Sequence, residues 1–190
     1  MESQYYRTFI AAPLRVEEPF LHARDNLMEA LREERISWTN PDQYHVTLKF
    51  IGDTAQTDMK RIGFALRNDL LVPEQISLDT IGLGSFGPRK KPRVIWVGFE
   101  ENSFFELLKL EVDRMLELCG IPMEEHPFRA HLTLGRVRSL KDLQRYYQII
   151  QEMKHSFKGT ILFDSLVFFR SILGSSGPEY HVLEQVQFPE

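Results

Sequence analysis

A single cysteine, Cys119, is all the sulfhydryl chemistry in the chain. No internal disulfide can close, and the expected compartment is the reducing cytoplasm. No run of about 18 apolar residues occurs, so no membrane-spanning helix is expected. The opening "MESQYYRTFIAAPL" puts no basic cluster ahead of its short apolar stretch, and a secretory leader is not expected either. Excess positive charge is also missing: 23 Lys and Arg stand against 27 Asp and Glu, for a net charge of −4. That disfavours a protein coating long nucleic acid with a broad basic face, but leaves room for a cleft that grips one phosphate. Linkers, low-complexity tracts and charge blocks are absent, and 190 residues at 43% hydrophobic content suit one domain over 1–190, expected to be monomeric without an obligate protein partner.

What is present is alternation of strand and helix patterns. Strands are expected over about Gln4–Ala12, Gln43–Ile51, Glu74–Leu83, Arg93–Phe99, Phe128–Val137, Thr160–Phe169 and Tyr180–Gln187. Helical spacing runs over Pro19–Arg35 (Phe20, Leu27, Leu31), Thr57–Leu71, Asn102–Cys119 and Lys141–Met153. Asn102 or Ser103 is placed to cap the third helix, and Cys119, beside Gly120 at its end, reads as a buried core thiol. "GSFGPRKKP" and "GSSGP" are the Gly/Pro-rich turns.

One pattern occurs twice. "YHVTLKFIG" begins at Tyr44 and "AHLTLGRV" at Ala130, each containing His-x-Thr-Leu. With 6 His, 8 Thr and 23 Leu in the chain, two chance copies have a probability on the order of 0.0004, the false-positive rate any motif must beat. In a regular strand His45 and Thr47 point one way and Val46 and Leu48 the other, and His131 and Thr133 oppose Leu132 and Leu134 in the same manner. Both motif strands precede a helix and two further strands. The expectation is a duplicated α+β fold of two intertwined lobes: two antiparallel sheets facing a central cleft, helices outside, related by a pseudo-twofold axis. Each lobe then supplies one imidazole to the cleft.

Imidazole exchanges protons near neutral pH. Two rings on opposite sides of a phosphorus centre can remove a proton from an attacking oxygen and return one to a leaving oxygen, without metal or covalent intermediate. The Thr hydroxyls are neutral donors for non-bridging phosphate oxygens. Arg136 would neutralise developing charge there, yet strict alternation puts it on the face opposite His131. It reaches the cleft only through a bulge or at the strand's end.

These residues resemble the twin signatures of the 2H phosphoesterase family, in particular its RNA 2′,3′-cyclic phosphodiesterase branch, also described as 2′-5′ RNA ligase-like. "RTFIAAPL", "SFGPRKKPRVIWVGF" and "SLVFFRSILGSSGPEYHVL" are similar to that branch's opening strand, central strand pair and closing hairpin. The resemblance implies a bilobal α+β fold and metal-independent opening of an RNA terminal 2′,3′-cyclic phosphate to a 2′-phosphate, with reversal at a 5′-hydroxyl end giving ligation. It implies no cofactor, places His45, Thr47, His131 and Thr133 in the cleft, and maps the second motif's arginine onto Arg136. By the same analogy His131 is the general base and His45 the general acid. Ala130 stands where the family commonly has proline, and Gly135 where it often has alanine.

Further substrate contacts are expected from Lys49, which shares parity with His45; Arg129, which shares parity with His131; Phe50; and Tyr180, whose ring would wall the cleft. The basic stretch from Pro88 to Arg93 is a candidate RNA contact. His126 lies five residues before His131, but no third and fourth metal ligand stand at suitable spacing. His22, His155 and His181 carry no pattern. Competing readings are a 2′-5′ oligonucleotide or other cyclic nucleotide phosphodiesterase on the same fold, and a non-catalytic RNA- or nucleotide-binding module.

Overall fold

The computed structural model describes residues 5–124, 127–174 and 177–190. Gln4, His126 and the centre of the "GSSGP" turn lie outside them. In chain order the elements are β1 (Tyr5–Pro13), α1 (Glu18–Ala30), β2 (Arg35–Trp38), β3 (His45–Ala55), α2 (Gln56–Asn68), β4 (Ile76–Phe86) and β5 (Val94–Phe99). Then follow α3 (Phe104–Leu118), β6 (His131–Ser139), α4 (Leu143–Glu152), β7 (Thr160–Phe163), β8 (Ser165–Gly174) and β9 (Gly177–Gln187). The expected order of strand, helix, strand, strand is present after the first motif as β3-α2-β4-β5, and after the second as β6-α4 followed by three strands, β7, β8 and β9.

The strands line up as β7-β4-β5-β6-β3-β1-β8-β9, all neighbours antiparallel. The two expected antiparallel sheets are therefore halves of one continuous sheet, with the motif strands β3 and β6 at its centre. A single residue pair, Val46 with Leu132, joins them. Each half repeats the other outward from that seam, β3-β1-β8-β9 on one side and β6-β5-β4-β7 on the other. Distant sequence segments thus meet at the seam between β3 and β6.

Alternation does what the sequence requires. Val46, Leu48, Leu132 and Leu134 are 0–2% exposed and belong to one hydrophobic cluster with Leu108, Val112, Met115 and Leu116 of α3. Burying each such side chain stabilises the fold by about 1.5–3 kcal/mol. The opposite face of the seam, carrying the His and Thr side chains, stays half-buried. Ser103 stands at the N-cap of α3 without a side-chain bond; the amide of Phe104 donates instead to Asn102 Oδ1 at 2.7 Å, a turn just ahead of the helix. Cys119 is buried, and burial pushes its thiol pKa up.

Most elements shift by a few residues at their ends, and two differences from expectation change an element itself. Helical spacing continues through Leu31, but α1 ends at Ala30 and Ile36 and Trp38 turn inward on β2, a four-residue strand on the flank of β6. Four residues carry too little alternation to register as a strand. The expected strand Thr160–Phe169 is divided at Asp164: β7 pairs with β4 at one edge of the sheet, whereas β8 lies between β1 and β9 in the other half. A continuous apolar pattern hides the point where the chain changes partners.

Candidate active site

Bulges decide which side chains share the central face. In β6, Ile95 pairs with Gly135 but Trp96 pairs with Thr133, leaving Leu134 as the extra residue. Leu134 and Gly135 are both buried, and alternation restarts in opposite phase. Arg136, opposite Val94, now stands on the face of His131 and Thr133. The parity obstacle is removed. Its guanidinium charge is felt by His45, His131 and Tyr180 alike.

The same device occurs in β3. Ile10 pairs with Lys49 and Ala11 with Thr47, so Leu48 is the extra residue. Phe50 thereby joins His45 and Thr47, opposite Phe9, and is 61% exposed. Phe50 and Arg136 occupy equivalent places in the two halves. Lys49 is turned away from the cleft, contrary to its parity in a regular strand. It is 5% exposed and donates to the Pro122 carbonyl at 2.9 Å, with Asp113 at 3.7 Å. Lys109 pairs with the same Asp113. Lys49→Ala is expected to destabilise the protein by about 2–3 kcal/mol, because it removes the donor to the Pro122 carbonyl and a cation beside the buried Asp113 carboxylate. Urea unfolding checks this; an unchanged midpoint with a raised KM would return Lys49 to the cleft.

His45 and His131 each immediately precede a member of the Val46–Leu132 pair that joins the antiparallel strands β3 and β6, so the two histidines flank the seam from opposite ends, and His45 feels the charge of His131. Each ring is oriented alike: His45 Nδ1 lies 2.7 Å from the Gln43 carbonyl oxygen and His131 Nδ1 lies 2.7 Å from that of Arg129. A carbonyl only accepts, so Nδ1 carries the proton and Nε2 of each neutral ring keeps its lone pair. Gln43 also donates through its side chain to the Pro178 carbonyl at 2.9 Å, tying the start of β9 to the turn that orients His45.

Aromatic walls flank both rings. His45 has Phe9 at 5.2 Å, Tyr180 edge-on at 5.5 Å and Phe169 at 6.5 Å between centroids. His131 meets Phe86 edge-on at 4.9 Å; Phe86 stacks on Trp96, and the Arg129 guanidinium lies 4.6 Å from the Trp96 ring centroid. Gly84 leaves room for that indole, since a Cβ there would stand 2.4 Å from Trp96 Cζ2. Tyr180 is thus beside His45 as expected, and Arg129 is near His131 but packed on Trp96. Gln43, Phe9, Phe86, Trp96 and Phe169 were not singled out from sequence. Their only signal is membership of strands or turns next to the motif strands.

Burial pushes the pKa of His45 down to about 4, with the charges of Arg136 and His131 adding to the effect against the Gln43 hydrogen bond. His131 is lowered too, first by burial and then by Arg136 and Arg129, with its Arg129 carbonyl bond opposing. Both rings are therefore neutral at pH 7 in the free protein, and an anion between them would draw protons onto them. The same shift couples to stability. Between pH 6.5 and 4 the unfolded chain binds the proton that folded His45 refuses, so stability falls as pH falls through that window. His45 alone is expected to remove about 2 kcal/mol between pH 7 and pH 5. Urea midpoints at the two pH values should show a smaller drop for His45→Gln than for the parent; equal drops would contradict the shift.

Two imidazole lone pairs, two half-buried hydroxyls and one guanidinium on one face suit an anionic tetrahedral group and the transfer of protons across it. The sequence matches the model of the LigT-like phosphoesterases over residues 12–96 and 105–180. The chain belongs to this family, the 2H phosphoesterases, and is an enzyme of that class. It is 31% identical over 148 residues to the RNA 2′,3′-cyclic phosphodiesterase of Aeropyrum pernix, covering 77% of this chain and 82% of the relative. With the protein of the same name from Thermotoga maritima it shares 28% identity over 184 residues, 96% of this chain and 95% of the relative. The fold resembles Escherichia coli LigT solved with 3′-AMP, at a TM-score of 0.72 and 16% identity over 98% of this chain and 99% of that one. Among the described residues no helix is long and apolar enough to cross a membrane.

Proposed function

We propose that the protein is an RNA 2′,3′-cyclic phosphodiesterase that opens a terminal 2′,3′-cyclic phosphate to a 2′-phosphate by metal-independent acid-base catalysis between His45 and His131. The reading extends to one 2H phosphoesterase domain over 1–190 acting as a cytoplasmic monomer on RNA ends, and to reversal at a 5′-hydroxyl end. The observation that carries it is the matched presentation of two Nε2 atoms on one face, each ring fixed by a carbonyl two residues earlier. The names of the relatives support the substrate.

In this reading the phosphate lies over the β3–β6 seam, its non-bridging oxygens held by Thr47, Thr133 and Arg136. Its negative charge raises both imidazole pKa values, so that one ring takes up from solvent the single proton the cycle needs. His131, the less enclosed ring, takes a proton from water as the water oxygen bonds to phosphorus. The bond from phosphorus to the 3′-oxygen breaks, and His45 gives its Nε2 proton to that oxygen. The order, His131 as base and His45 as acid, follows the family resemblance, and the productive form is the one with His45 charged and His131 neutral. Phe50 and Tyr180 offer faces for the terminal base.

The test is incubation with nucleoside 2′,3′-cyclic phosphates in EDTA. Release of the 2′-phosphate is expected. A 3′-phosphate would reverse the regiochemistry, a requirement for added metal would refute the mechanism, and tight binding without turnover would identify a binding module.

A further inference from the structure

Resting on the reading of an RNA end as substrate, we infer that the β4–β5 hairpin tip grips the RNA phosphates upstream of the terminal nucleotide, making polynucleotide ends the preferred substrate class. The tip is "PRKKPR", Pro88 to Arg93, with Arg89, Lys90, Lys91 and Arg93 all exposed. Among the described residues none of these four has a carboxylate within 4.0 Å. In a chain of net charge −4, these four exposed cations within five residues make a local positive patch that attracts a polyanion.

The tip is continuous with the cleft. Phe86, at the end of β4, touches the His131 ring. Val94, at the start of β5, lies opposite Arg136, and the Arg93 carbonyl accepts from Val137 of β6. Arg93 thus directly precedes the residue opposite Arg136, and Lys91, Lys90 and Arg89 follow it back around the turn at the edge of the cleft. The turn is also held in shape: Lys91 N donates to the Pro88 carbonyl at 2.7 Å, Arg93 N to that of Phe86 at 2.8 Å, and the Tyr147 hydroxyl to that of Arg89 at 3.0 Å. Gly87 takes φ +117, and a Cβ there would meet Arg93 N at 2.9 Å, so the turn demands glycine. A preorganised row of cations suits a repeating polyanion.

Neutralising two or three phosphates of a single strand gives a salt slope of about −0.7 per phosphate, or about ten-fold in kcat/KM between 50 and 200 mM salt. The experiment compares a short oligoribonucleotide ending in 2′,3′-cyclic phosphate with a nucleoside 2′,3′-cyclic phosphate, for the parent and for Arg89→Gln/Lys90→Gln/Lys91→Gln. The triple variant is expected to lose about ten-fold in kcat/KM on the oligonucleotide at low salt, through KM, and to flatten its salt dependence. Its activity on the mononucleotide should be unchanged. Equal losses on both substrates, or no loss on either, would overturn the inference. If neither substrate turns over, the functional reading fails instead, and fluorescence anisotropy of the labelled oligonucleotide still decides: parental affinity in the triple variant overturns the grip, and a ten-fold weaker Kd sustains it.

Discussion

His131→Ala and His45→Ala are each expected to lower kcat on a 2′,3′-cyclic phosphate by about 10²–10⁴-fold, the range supplied by a positioned acid or base. In the proposed mechanism each ring carries one of the two proton transfers of a turnover, so losing either leaves the other without a counterpart. The double variant should therefore be little worse than the singles rather than multiplicatively so. Truncating His45 also removes a ring packed on Phe9, Phe169 and Tyr180, so His45→Gln, which keeps more of that volume, accompanies the alanine variant. Steady-state kinetics with a matched urea curve checks both points. A His45→Ala variant with full activity, or an inactive variant with a collapsed midpoint at pH 7, would remove the assignment.

The second large effect belongs to Arg136. Loss of a charge that stabilises a phosphoryl transition state costs about 10²–10³-fold, so Arg136→Gln is expected to lower kcat/KM by roughly that factor. The variant should also carry a second signature. Arg136 lowers the pKa of both imidazoles, so its removal lets both rise. The alkaline limb of the kcat/KM profile, expected below pH 6.5 in the parent because both free-enzyme values are depressed, should move upward. Arg136→Lys restores the charge, and with it the limb, but not the two-pronged contact, so only part of the rate returns. A rate loss with an unmoved limb would place the guanidinium outside the cleft.

Much of the site was legible because its chemistry is written in a period-two pattern. His45, Thr47, His131 and Thr133 alternate with Val46, Leu48, Leu132 and Leu134, and burial of the second set requires the first set to share the other face. What alternation could not show is where it breaks. The extra residues Leu48 and Leu134 are defined by pairing with β1 and β5, a tertiary fact with no local signature. One bulge brings Arg136 into the cleft, and the other sends Lys49 to the buried Asp113 and puts Phe50 in its place. The same limit applies to Phe9, Phe86 and Trp96, whose role as walls depends on which strands neighbour the motif strands. Strand β2 escaped notice through brevity, and the break at Asp164 because both flanking segments are equally apolar.

The most direct test is a crystal structure with inorganic phosphate soaked in at pH 6. One phosphate is expected over the β3–β6 seam with Nε2 of both His45 and His131 within about 3 Å of its oxygens, the reach of a charge-assisted hydrogen bond. Phosphate held by one imidazole alone, or settled elsewhere while the seam holds only water, would contradict the shared two-ring site.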